Sequence, residues 1–86
     1  MDNADIKISD LQNDSISLFN LLKSDQIDLA KSEFEEYEKK WINNTSVSVF
    51  IKSIEEYLYN SFAKEKGVTS LKIIEDNLES DILNKN

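Results

Sequence analysis

The sequence predicts an all-α chain, a small antiparallel four-helix bundle in a single domain covering residues 1–86. Three observations predict it. Pro is absent and Gly occurs once, so no hard helix breaker interrupts the chain. No segment sustains the period-two alternation of a strand: the short run Ser46-Val47-Ser48-Val49 opens directly into Phe50, Ile51, Ile54, Tyr57 and Leu58, which recur at helical spacing. Polar turn formers then divide the apolar residues into four stripes.

The first helix is predicted to open at Ser9, with Gln12 three residues later completing a capping box, and to carry Leu11, Ile16, Leu18, Phe19, Leu21 and Leu22. Residues 1–8 precede that cap and are expected to form a disordered or frayed N-terminus. Ser24 is the expected N-cap of the second helix, with Asp25 against the positive end of its dipole. That helix carries Ile27, Ala30, Phe34, Tyr37 and Trp41, which fall within about 40° of one line at 100° per residue. Asn43-Asn44-Thr45-Ser46 is the strongest turn signal in the chain. A third helix runs from there through Ile54, Leu58 and Phe62. Lys66-Gly67 reads as its stop, and Thr69 or Ser70 caps a last helix carrying Leu71, Ile74, Leu78 and Ile82.

Phase decides between four helices and two. The Leu11, Leu18 and Leu22 line lies roughly 120° from that of the second helix, and the last stripe roughly 115° from that of the third. A supercoil absorbs only about 20° per heptad. Breaks near Ser24 and Gly67 therefore fit better than a hairpin of two long helices, the second-ranked architecture, which would need a partner to cover its apolar face.

Composition narrows the function. The net charge of −7 opposes nucleic-acid binding. The chain has no His, which removes the usual general base, and no Cys, which removes thiolate metal sites and disulfides. No calcium-loop ladder of Asp and Asn is present. An enzyme is not expected, nor a cofactor or metal. No apolar run reaches the length of a signal-peptide core or a membrane span, so a cytoplasmic protein without direct membrane insertion is expected. It should bind another protein, as a monomer or a weak homodimer.

The cluster Glu33, Glu35, Glu36 and Glu38 reads as a solvated helix face, with Glu35-Lys39 and Glu36-Lys40 as favourable pairs four residues apart. Trp41, the only Trp, ends an aromatic row of core type beside the Asn43-Asn44 turn, where one ring edge is expected to stay exposed. Tyr59 is rotated about 140° from Ile54 and is the leading exposed aromatic contact. Lys66 and Lys72, on either side of Gly67, complete the candidate partner-binding set of Trp41, Tyr59, Lys66 and Lys72.

From about Val47 onward the chain resembles the immunity proteins of pediocin-like bacteriocins, the enterocin A immunity type. The residues carrying this are Phe50-Ile51-Lys52-Ser53-Ile54-Glu55-Glu56-Tyr57-Leu58-Tyr59, then Lys66, Thr69, Leu71, Ile74, Leu78 and Ile82. The family pattern is a helix ending in a Tyr-Leu-Tyr-like stretch, a short Lys-containing turn and a final helix of spaced Leu and Ile. The resemblance implies a cytoplasmic bundle that protects a bacteriocin producer. It also implies that a membrane-embedded sugar permease, the bacteriocin's receptor, belongs to the partner complex, with the C-terminal half governing specificity. Many members are basic, unlike this chain. The chain is also similar to small helical-hairpin proteins of leaderless secretion named for a Trp-x-Gly turn, with Trp41-Ile42-Asn43 in that place. An acidic inhibitor or antitoxin is the third reading.

Overall fold

The computed structural model describes residues 3–67 and 69–84. Helix α1 spans Asn3–Lys23 and α2 spans Ile27–Trp41. A 3₁₀ turn, Thr45–Val47, leads into α3, Ser48–Tyr59. One turn of helix, α4, Ser61–Glu65, precedes α5, Leu71–Leu78, which runs on as a π-helical turn over Glu79–Leu83. Among the described residues no strand forms. The four helices of eight residues or more pack in a ring, α1 on α2, α2 on α3, α3 on α5 and α5 back on α1. This is the small helical bundle that the stripes predict, and the chain is not a hairpin of two long helices.

The start of α1 departs from expectation. Helix already runs from Asn3, so Ser9 lies inside it and caps nothing. Gln12 instead reaches across the bundle, its Nε2 donating to the Ile82 carbonyl at 3.2 Å. Of the stretch 1–8 expected to be frayed, Met1 and Asp2 lie outside the described residues.

Ser24 also works on the other side of its turn. Its Oγ donates to the Asn20 carbonyl at 2.8 Å, closing α1, whereas Gln26 occupies the N-cap position of α2 with no side-chain cap. The Asp25 N–H bonds to Leu22 O at 3.2 Å and the Gln26 N–H to Leu21 O at 3.0 Å. These are the paired bonds of a Schellman ending, with Asp25 in the left-handed region at φ 61°. A hydroxyl can donate as well as accept, so Ser24 satisfies the carbonyls of the helix behind it.

The next turn follows its residues. Asn44 Oδ1 accepts from the Ser46 N–H at 2.9 Å and Ser48 Oγ donates to Thr45 O at 3.1 Å, setting the chain into α3. That helix then stops at Asn60, short of the predicted Phe62. A straight continuation would bring Ser61 and Glu65 within about 20° of the Ile54 line and carry a carboxylate into the core. The break avoids this. Asn60 serves both sides, its N–H bonding back to Glu56 O at 2.9 Å and its Oδ1 accepting from the Ala63 N–H at 3.1 Å. Ala63 turns inward and Phe62, expected in the core stripe, is left 65% exposed.

Gly67 ends α4 at φ 75°. Ser70 is the N-cap of α5, its Oγ accepting from the Ile73 N–H at 3.4 Å. Thr69, the other candidate, is buried and its Oγ1 donates to Glu56 Oε1 at 2.6 Å, tying this turn to α3. Along α5 and the turn that continues it, the inward residues Ile74, Leu78 and Ile82 are spaced by four, a step that advances about 40° per turn on a regular helix. The wider π turn, closed by the Asn84 N–H on Glu79 O at 3.0 Å, keeps Ile82 facing α1.

The core holds Leu18, Leu22, Ala30, Phe34, Tyr37, Val47, Phe50, Ile54 and Ile74 among others. Each fully buried Leu, Ile or Phe contributes about 1.5–3 kcal/mol. Ile16 of the first stripe is exposed, and Tyr57 and Leu58 are only half-buried. Ile54→Ala is expected to lower stability by about 2–5 kcal/mol. Leu58→Ala should cost less, and equal losses in urea unfolding would contradict their difference in burial. At the turns, Asp25→Gly should stabilise and Gly67→Ala destabilise, each by about 1 kcal/mol, because only glycine adopts positive φ without steric cost. An alanine Cβ at Gly67 meets nothing within 4 Å, so that loss is purely conformational. Thermal midpoints moving in opposite directions by several degrees would show this.

Candidate protein-binding surface

Trp41 closes α2 and is 6% exposed, so the expected free ring edge is not there. The reason lies in α1. Asp14 Oδ2 accepts from the indole N–H at 3.1 Å and pairs with Lys40 Nζ at 3.3 Å, while Lys40 also lies over the indole ring, 5.1 Å from its centroid. Trp41 is a seam between α1 and α2.

Tyr59 is exposed as its phase predicts, at 52%. One side of its ring meets Phe34, with centroids 6.4 Å apart, and Lys31 Nζ lies 5.3 Å from its centroid. Lys66 is exposed and its Nζ sits 5.7 Å from the centroid of Phe62. Lys72 is exposed in the first turn of α5 and pairs with Asp76 at 3.3 Å. Trp41 and Tyr59 do not converge. Phe34, under Tyr59, is seven residues from Trp41, about 10 Å along α2. The residue that sequence reasoning missed is Phe62, and the signal for it was the phase of Ser61 and Glu65.

An open groove beside the Asn43-Asn44 turn is lined by Asp10, Lys40, Trp41, Asn43, Asn44 and Thr45, and two more lie along α2. One lies between α1 and α2, lined by Asp14, Leu18, Glu33, Glu36, Tyr37, Lys39 and Lys40. The other lies where α2 begins beside the α3–α4 junction, lined by Ile27, Tyr57, Leu58, Ser61 and Glu65. The predicted pairs Glu35-Lys39 and Glu36-Lys40 do not form. Among the described residues the ion pairs are Lys40–Asp14 and Lys72–Asp76, both largely exposed and each worth under about 1 kcal/mol. Asp14 wins Lys40 because the indole N–H already holds its carboxylate in place. Among the described residues no group of three or more acidic, His or Cys side chains could hold a metal ion. No described helix is long and apolar enough to cross a membrane.

Next to this seam is a buried polar contact. Ser15 Oγ donates to the Leu11 carbonyl at 2.7 Å, which uses its one proton. The Tyr37 hydroxyl, 2.6 Å from Ser15 Oγ, must therefore be the donor to it. Burial pushes the Tyr37 phenol well above its ordinary value, and the negative charge of Asp14 pushes it further up. Its ring also meets Phe50 edge-on, centroids 5.8 Å apart.

The chain matches no protein-family model, no curated protein and no solved structure.

Tyr37 predicts a pH dependence. Its folded pKa lies above the unfolded value of about 10, so the native state keeps a proton that the unfolded chain has released. The stabilisation is complete below about pH 10 and is lost as pH rises toward the folded value. Tyr37→Phe should cost about 1 kcal/mol at neutral pH through the lost hydrogen bond. It should also flatten the alkaline decline, read as a shrinking gap between wild type and variant in urea unfolding from pH 8 to 11. A constant gap would show that the phenol does not titrate with unfolding.

Proposed function

We propose that this chain is a non-catalytic protein-binding module, specifically an immunity protein that protects a bacteriocin-producing cell from within its cytoplasm. The observation that carries the reading is the arrangement of the C-terminal half. Helix α3 ends in Tyr57-Leu58-Tyr59, the short α4 leads to a turn holding Lys66 and Gly67, and α5 with the π turn that continues it turns Ile74, Leu78 and Ile82 inward. Apart from the inserted α4, this order of elements supports the reading drawn from the resemblance. The absence of His and Cys from the sequence is consistent with a protein that binds and does not transform.

In this reading the partner is a membrane-embedded receptor complex, and the contact is made by Tyr59 and Phe62 with Lys66 and Lys72. Exposed aromatic rings with ammonium groups over them suit a protein interface, since a ring supplies a large apolar area with few rotors to freeze. Trp41 stays out of the contact and holds the bundle. Production of the chain in a strain sensitive to pediocin-like peptides tests the reading. Survival is expected to rise at least tenfold, and Tyr59→Ala combined with Lys66→Glu should abolish most of that gain while helical circular dichroism and thermal midpoint stay near wild type. No gain in survival against any of a panel of such peptides would sink the proposal.

A further inference from the structure

We draw no further inference here: the strongest candidate, the solvent-facing Phe62 on α4 with Lys66 over its ring next to the open groove of Ile27, Tyr57, Leu58, Ser61 and Glu65, is an unpartnered apolar face rimmed by charges of both signs, and nothing in the structure shows what covers it.

Discussion

A helix that ends leaves backbone amides and carbonyls without intrahelical partners, and this chain has no proline and a single glycine with which to turn. The bundle depends on how that constraint is met. Asn44, Asn60 and Ser70 each accept a backbone N–H at the start of a helical segment, and Ser24 donates to a carbonyl at the end of one. Such caps are worth on the order of 1 kcal/mol each. Their larger effect is geometric. Each restarts the helical phase, so that successive apolar stripes meet one core and do not spiral away from it.

Apolar packing is non-directional, and by itself it would tolerate α1 sliding along α2 by a turn. Directional contacts remove that freedom. Asp14 and Ser15 are neighbours on α1, while Tyr37 and Trp41 are one turn apart on α2. The two hydrogen bonds between these pairs are satisfied together at one register. Gln12, on the same stretch of α1, bonds to the Ile82 carbonyl and so fixes the C-terminal turn to the same helix. One segment of α1, residues 11–15, thus sets the position of both its neighbours. Buried hydrogen bonds of this kind rigidify a core when every member is satisfied, and among the described residues no buried side-chain nitrogen or oxygen lacks a partner.

Much of this was legible in the sequence because the helical period is strict. The stripe of Ala30, Phe34, Tyr37 and Trp41 and the outward aim of Tyr59 follow from spacing alone, and the turn at Asn43–Ser46 and the stop at Gly67 from residue type. Asn60 was not legible as a residue type, since asparagine inside a helix is only mildly unfavourable. The phase of Glu65 was the readable sign, because a straight helix would have buried it. Ser24 misled because the same hydroxyl can cap a helix in front or behind, and propensity does not say which. The enclosure of Trp41 depends on Asp14, remote in the chain and joined to it only by folding. The π turn depends in the same way on the docking of Ile82 against α1.

That enclosure gives the protein an optical label of its own. The sole indole sits where α1 and α2 meet, its N–H held by a carboxylate and its ring covered by a lysine. Its emission colour and intensity therefore register the state of one seam, and solvent reaching the seam changes the signal at once. Events confined to α4 on the far stretch of the molecule are dark by the same criterion. A ligand that leaves the fluorescence untouched has left the α1–α2 pair closed.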